Sequence, residues 1–387
     1  MTTLSLDQRQ QLQSLDRGAL QRLQLEKFNR LLAAVRKSNL FYERKLAGCP
    51  VRLESLAQLA QLPLTTKDEL QPAPGGEPFA ANRTFPTEAY TRCHQTSGTH
   101  GRPLVVLDSP DDWQWWIDGW QFVLDAANIT ASDRALMAFS FGPFIGFWSA
   151  FDAVTARGAM AIPGGGMTSL ARVEVAQHAK ATAVFCTPSY ALRMAEVAAE
   201  HRINLARSCV EKIVVAGEPG GSVPAIRERI ERAWGAAVID HAGATEIGPW
   251  GFADAQRRGL HINESEFIAE FVWVETGQPA ESGEVAHLLL TSLGRLGAPV
   301  IRYRTGDLVR PTWPESGPCQ FVLLEGGVLG RADDLMIIRG VNVYPSAVEQ
   351  ILHSFPEVVE YRLTARRRGA LDELLVEIED HLDRPAR

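Results

Sequence analysis

Between residues 134 and about 250, short apolar runs alternate with amphipathic segments, and this alternation constrains the fold more than any other feature of the chain. "RALMAFS", "GAMAIP", "ATAVFCTP" and "KIVVAG" are apolar stretches of strand length. "ARVEVAQHAK", "SYALRMAEVAAEHR" and "VPAIRERIERAW" carry apolar residues at helical spacing with charges between them. Strands alternating with helices point to an α/β sheet, largely parallel, with the strands buried. Ligands of such sheets gather at the carboxyl ends of the strands. Three glycine-bearing stretches follow strands there: "PGGG" (163–166), "AGEPGG" (216–221) and "AGATE" (242–246).

The flanks have a different texture. Leu25, Phe28, Leu32 and Val35 recur at helical spacing near the N-terminus. "QPAPGGEPFAANRTFP" reads as a long loop. After residue 265, "EFIAEFVWV" and "GEVAHLLLTSL" read as strands in antiparallel pairing. The last part reads as strand, helix, strand, with Pro345 opening the helix and Val348, Ile351, Leu352 and Phe355 on one face. The expected class is therefore α/β. A large N-terminal domain (1–332) has β-sheets flanked by helices plus a smaller antiparallel β region, and a small α+β C-terminal domain (333–387) follows. The 387 residues suit two or three domains.

Composition narrows the function. At 45% hydrophobic and 22% charged residues the chain is an ordinary globular protein. A net charge of −7 argues against nonspecific binding to nucleic acid or an anionic membrane. Cys49, Cys93, Cys186, Cys209 and Cys319 form no CxxC pair, which excludes a disulfide framework and suggests a reducing cytoplasm. The N-terminus has no apolar signal core, and no uncharged run is long enough to span a membrane.

"HQTSGTHGRP" (94–103) offers short hydroxyls and unhindered backbone N–H groups, a concavity that suits phosphate oxygens. It lacks the spacing and lysine of the familiar phosphate loop, and alone it reads equally as a turn. It is followed in order by "GEP" (217–219), "GATE" (243–246), "YRTGD" (303–307) and "GRADD" (330–334). This ordered set resembles the adenylate-forming superfamily of acyl-CoA ligases and adenylation enzymes. "LPLTTKDEL" (62–70), "CTPSYAL" (186–192) and "IRGVNVYPSAVE" (338–349) resemble the phenylacetate–CoA ligase branch. The resemblance spans residues 20 to 380.

The resemblance implies ATP-dependent activation of a carboxylic acid to an acyl-adenylate, then transfer to coenzyme A, with ATP/AMP, Mg2+ and CoA as cofactors. Thr96, Ser97, Gly98 and Thr99 would hold the β- and γ-phosphates. Glu246 would give magnesium an oxygen ligand, beside Thr245. Asp307 would accept hydrogen bonds from both ribose hydroxyls, and Arg331 would place a charge near ribose or phosphate. Gly217, Glu218 and Pro219 would form the adenine wall. Phe141, Gly142 and Pro143, with Ala242, Gly243 and Gly248, would lie near an aromatic or other apolar acid. Asp333 takes the hinge position of a rotating C-terminal domain, and Gly340 the place where the pantetheine arm passes.

Two departures stand out. Ala242 occupies the position where the superfamily usually stacks an aromatic on adenine; His241 is the nearby alternative. Related enzymes carry a late lysine bridging acid and α-phosphate, whereas this chain has no lysine after Lys212, so a truncated C-terminal domain is expected. The bland readings are a turn for each glycine-rich motif and a surface ion pair for Arg331. "FSFGPFIGFW" and the tryptophans Trp113, Trp116 and Trp120 read as core packing, or for the tryptophans a subunit interface. "HINESEF" (261–267) reads as a structural loop. Alternative outcomes are transfer to a carrier-protein thiol or an amine, and a non-catalytic nucleotide- or acid-binding protein. Expected partners are a small carboxylic acid and CoA or a carrier protein, with no nucleic acid or membrane; an isologous homodimer is compatible with the resemblance.

Overall fold

The computed structural model describes residues 3–97, 102–332, 336–338, 341–343, 348, 351–352, 355, 358–368 and 371–380. The chain opens with helices α1 (Leu6–Gln13), α2 (Arg17–Ser38) and α3 (Leu40–Lys45). Asp16 caps α2 by accepting the Ala19 N–H, and the helix buries Leu20, Gln24, Phe28, Leu31, Leu32 and Val35. The long Pro/Gly stretch that follows contains only short 3-10 turns. A two-stranded antiparallel ribbon comes next, β1 (Arg92–Gln95) and β2 (Val105–Asp108), then helix α4 (Pro110–Ala126).

The predicted alternation is present. The series runs β3 (Arg134–Met137), α5 (Ile145–Ala156), β4 (Met160–Pro163), α6 (Ser169–His178), β5 (Ala183–Cys186), α7 (Pro188–Glu200), β6 (Lys212–Val215), α8 (Pro224–Trp234) and β7 (Ala237–Ala244). The strands pair in parallel in the order β4-β3-β5-β6-β7, with Leu136 opposite Val184, Val184 opposite Ile213 and Ile213 opposite Val238. Those four side chains face α6, α7 and α8. Their neighbours Ala135, Met137, Phe185, Val214 and Ile239 face α4 and α5. Successive strand residues point to opposite faces, and both faces of the central strands are covered, so β5 is apolar throughout and β3 and β6 are apolar after Arg134 and Lys212.

β7 changes the character of the sheet. Its first half pairs in parallel with β6; its second half, from His241 to Ala244, pairs antiparallel with β8 (Gly248–Ala253). The sheet continues antiparallel through β9 (Gly259–Ile262), β10 (Phe267–Trp273), β11 (Ala286–Ser292), β12 (Tyr303–Thr312) and β13 (Leu323–Arg331), in the spatial order β8-β9-β13-β12-β11-β10. The antiparallel region expected from sequence is therefore hydrogen-bonded into one eleven-stranded sheet through β7.

Beyond it lie two antiparallel pairs, β14 (Met336–Ile338) with β15 (Val341–Val343), and β16 (Val358–Arg368) with β17 (Leu371–Asp380). Residues 351–352 are helical between them. Pro345, expected to open that helix, lies outside the described residues.

The tryptophans of α4 belong to the core. Trp113, Trp115, Trp116 and Trp120 are all buried in one cluster. Three of their indole N–H groups have partners: Asp152 for Trp113, Glu266 for Trp115 and Ser149 for Trp120, each at 2.8 Å. Each large apolar side chain taken out of water stabilises by roughly 1.5–3 kcal/mol, and a satisfied indole N–H keeps that gain. The "HINESEF" residues are likewise structural. His261 lies between the Phe321 carbonyl (3.0 Å) and Asp254 (3.2 Å). Glu264 holds Arg17, and Glu266 holds Lys27 of α2. Among the described residues no helix is long and apolar enough to cross a membrane.

Candidate active site

The ordered motifs sit on turns at strand ends, and a chain of contacts joins them. The hydroxyl loop leaves β1 and returns as β2. Thr96 is buried at its base; its N–H donates to the Leu104 carbonyl and its Oγ1 accepts the Leu104 N–H, both at 3.0 Å. Ser97 is exposed. Gly98 and Thr99 lie outside the described residues. Gln95 donates its N–H to the Pro143 carbonyl at 2.8 Å, which ties this loop to the loop after β3.

That second loop carries Phe141, Gly142 and Pro143. The Gly142 carbonyl accepts the Trp148 indole N–H at 2.9 Å. Phe141 is 38% exposed, with its ring centroid 3.9 Å from Phe147 and 4.8 Å from Trp148. An aromatic side chain that stays exposed beside two aromatic neighbours offers an apolar wall to a ligand.

"GATE" and "YRTGD" converge. The buried Tyr303 hydroxyl donates to Glu246 Oε1 at 2.9 Å. Burial, then the Glu246 carboxylate, push the Tyr303 phenol far above its ordinary value, so it stays an O–H donor. Among the described residues no group of three or more His, Cys, Asp or Glu could hold a metal. Glu246 is thus a single carboxylate. That fits magnesium, which keeps most of its ligands as water and phosphate oxygens.

Asp307 on β12 stands opposite Arg331 on β13, and the Arg331 guanidinium donates to Asp307 Oδ1 at 2.9 Å and to the Thr305 carbonyl at 2.6 Å. Burial raises the Asp307 carboxyl above its ordinary value, and Arg331 pulls it back. Gly306 makes this arrangement possible. Its φ is +81°, and a Cβ there would stand 2.5 Å from the Arg331 guanidinium. "LPLTTKDEL" supports the same strand: Thr65 bridges Tyr303, accepting the Arg304 N–H and donating its own N–H to the Arg302 carbonyl, both at 2.9 Å.

Gly217, Glu218 and Pro219 follow β6. The Glu218 carboxylate accepts the Ser189 N–H at 2.6 Å, in the first turn of α7, where a negative charge is favoured. Asp240 holds the end of this loop by accepting the Ser222 hydroxyl. Burial raises the Asp240 carboxyl to about 6.

Two expected ligand residues are placed elsewhere. His241 was the expected substitute for the missing aromatic, but its ring is buried against Trp120, 4.2 Å between centroids, and its Nδ1–H donates to the Gly251 carbonyl at 2.7 Å. Strand alternation puts it on the face opposite Asp240 and Ala242, so it offers no edge to a base. Gly248 packs into the core: a Cβ there would stand 2.5 Å from Trp115 and 2.9 Å from Phe267, which leaves no room for an acid. Ala242 is half-buried and pairs with Gly251. Gly243 lies near the end of β7, and Thr245 is on the turn with Glu246. Asp333 and Gly340 lie outside the described residues.

Sequence reasoning missed Tyr303, Asp240 and the buried pair Arg295–Asp108. Arg295 and Asp108 are fully buried; Arg295 Nε donates to Asp108 Oδ1 and Nη1 to the Thr245 carbonyl, each at 2.8 Å. The available signal was a charged residue shortly after each apolar run: Asp108 directly after "LVVL", and Arg295 a few residues after "LLL".

Known proteins resemble this chain in sequence and fold. A family model described as the AMP-binding enzyme C-terminal domain matches residues 340–384. The phenylacetate–coenzyme A ligase of Thermus thermophilus is 34% identical over 377 residues, covering 95% of this chain and 83% of that protein. The structure of 2-hydroxyisobutyryl-CoA ligase in its postadenylation state, in complex with 2-HIB-AMP, superposes with a TM-score of 0.90 at 27% identity, covering 98% of this chain and 82% of that one. The same enzyme with 2-HIB-AMP and CoA in the thioesterification state gives a TM-score of 0.81 at 27% identity, covering 98% and 83%.

Proposed function

The chain belongs to the phenylacetate–coenzyme A ligase family, and on that premise we propose that it joins an aromatic carboxylic acid to CoA through an acyl-adenylate. The reaction has two displacements. A carboxylate oxygen attacks the α-phosphorus of ATP, the bond to the β-phosphate oxygen breaks, and pyrophosphate leaves. The CoA thiol, losing its proton, then attacks the acyl carbon and displaces AMP.

Neither step needs a nucleophile from the protein. The protein contributes positioning and charge stabilisation. In the proposal, Thr96 donates its hydroxyl hydrogen to a phosphate, with Ser97, Gly98 and Thr99 supplying further donors. Magnesium carried in on the phosphates would take Glu246 as its protein carboxylate and would offset charge on the departing pyrophosphate. Asp307 accepts from the ribose hydroxyls while Arg331 holds it in place. The exposed ring of Phe141 forms the acid wall, with Gly142 and Pro143. Residues 333–387 act as the unit that turns between the half-reactions, with Asp333 as hinge and Gly340 along the pantetheine path.

One observation carries the assignment: Glu246 is held by Tyr303 of β12, the strand that carries Asp307 61 residues further on, and Arg331 of β13 holds Asp307 there. The test is acid-dependent exchange of pyrophosphate into ATP with magnesium, over a panel of aromatic and aliphatic acids, followed by CoA or a carrier-protein thiol as acceptor. Exchange with aromatic acids and thioester formation with CoA are expected. Exchange without CoA transfer would redirect the reading to a carrier thiol or an amine. ATP binding without exchange would support the non-catalytic reading, which Ala242 and the lack of a lysine after Lys212 favour.

A further inference from the structure

The buried pair Arg295–Asp108 has no part in the chemistry above, yet it ties β2 to the turn that carries Glu246. Asp108 ends β2, the strand that closes the hydroxyl loop. Thr245, whose carbonyl accepts from Arg295 at 2.8 Å, is bonded in sequence to Glu246. The loop bearing Arg295 leads from β11 into β12, which carries Tyr303 and Asp307. Asp112 fastens this loop a second time, accepting the Gly297 N–H at 2.9 Å while its other oxygen takes the Ser109 N–H and hydroxyl.

Both members of the pair have zero exposure. Burying two charges costs several kcal/mol each, and such a pair is often replaceable by apolar side chains without loss of stability. Packing alone is therefore a poor account of it. An apolar residue could fill the space, but it could not donate to the Thr245 carbonyl and the Asp108 carboxylate together. The planar guanidinium does both in one fixed fork. Its ring-facing side lies over Trp116, 5.6 Å from the centroid, which limits any tilt.

We infer that Arg295 is a positioning residue for the adenylation step: by bridging Asp108 of β2 and the Thr245 carbonyl, it fixes the turn that presents Glu246. The inference rests on the adenylation reading. Magnesium carried on the phosphates would meet Glu246, and a bridge of fixed length behind the adjoining residue controls where that carboxylate stands.

The test compares Arg295→Lys and Asp108→Asn with the wild type in acid-dependent pyrophosphate exchange at varied magnesium, alongside AMP affinity and thermal melts. Lysine keeps the charge but cannot span both acceptors. The isosteric Asp108→Asn change carries the same expectation and serves if Arg295→Lys does not fold. Misplacement of about 1 Å costs up to about a hundredfold in rate, so the exchange kcat should fall by about tenfold to a hundredfold. The magnesium concentration for half-maximal rate should rise. AMP affinity, set by Asp307, should stay within about threefold, well inside one decade of affinity. In a Glu246→Gln background the effect of Arg295→Lys on Mg·ATP affinity should vanish, because one acts through the other. A lower melting temperature with unchanged kcat and magnesium response, or full additivity with Glu246→Gln, overturns the inference. Absence of exchange in the wild type overturns the adenylation reading itself, and the inference with it.

Discussion

Single side chains decide whether this site can hold a nucleotide. Asp307 is half of a salt bridge whose other half donates to the same strand's backbone. In the proposed complex its carboxylate also accepts two ribose hydroxyls, at roughly 1.5–3 kcal/mol for each charge-assisted bond. Asp307→Ala should weaken AMP and ATP binding by about a hundredfold or more, read by calorimetric titration; unchanged affinity would remove Asp307 from the site. His241 gives a second prediction, in stability. Burial lowers its folded pKa to about 4 from an ordinary 6.5. The unfolded chain takes up the proton as pH falls through 6.5, and the folded protein does so only near 4. The contribution of the neutral imidazole is therefore complete above 6.5 and is lost progressively below it, by about 2 kcal/mol at pH 5. His94, also lowered to about 4, adds in the same direction. Asp240, raised to about 6, opposes both, because the folded protein binds its proton first as pH falls. His261, raised to about 10 beside Asp254, opposes them as well, so the test is the difference between proteins: in urea unfolding at pH 7 and pH 5, His241→Gln should lose about 2 kcal/mol less stability than the wild type. Equal losses would mean that His241 does not titrate as its burial requires.

Secondary-structure elements were readable where local pattern decides and opaque where long-range register does. The parallel strands β3, β5 and β6 are visible in sequence because both of their faces are covered, which leaves them apolar except for Arg134 and Lys212 at the strand starts. α7 and α8 are visible because only one face is. The fusion of the parallel and antiparallel parts was not visible. It depends on β7 pairing with β6 along its first half and with β8 along its second, and no local signal states which neighbour a strand will find. For the same reason His241 read as a ligand: alternation along β7 shows that His241 and Ala242 face opposite sides, but not which side is open. The motif glycines were legible as motif members, and the structure adds why one is needed. Gly306 sits at φ +81° beneath the Arg331 guanidinium on the paired strand. Gly306→Ala should cost about 1–2 kcal/mol in backbone strain. It should also push Arg331 off Asp307 and lower AMP affinity by about tenfold, the loss of roughly one charge-assisted bond. Melting and titration of the same preparation separate the two effects, and a destabilised protein with normal AMP affinity would show that Arg331 is not needed to hold Asp307.

At the scale of the whole molecule, the three clusters of buried apolar side chains among the described residues are built from residues between Leu20 and Leu324. Every described contact between the motifs also lies at or before Arg331. The proposed nucleotide site and the core that carries it thus belong to one body, whereas the proposed acceptor chemistry depends on residues after it. A chain ending at residue 332 tests this division. With its core intact it should melt within about 5 °C of the full chain, the shift expected when a large domain loses no more than about 1–2 kcal/mol. It should bind AMP within about threefold of the full chain, because Asp307, Arg331 and Glu246 remain. It should form no acyl-CoA, since Gly340 and the turning unit are gone. Thioester formation by the shortened chain would place the acceptor site in the large body and refute the proposed role of residues 333–387. A folded but AMP-blind chain would instead place essential nucleotide contacts beyond Arg331, and the pairing of Glu246 with Tyr303 and of Asp307 with Arg331 would then be scaffolding rather than a binding site.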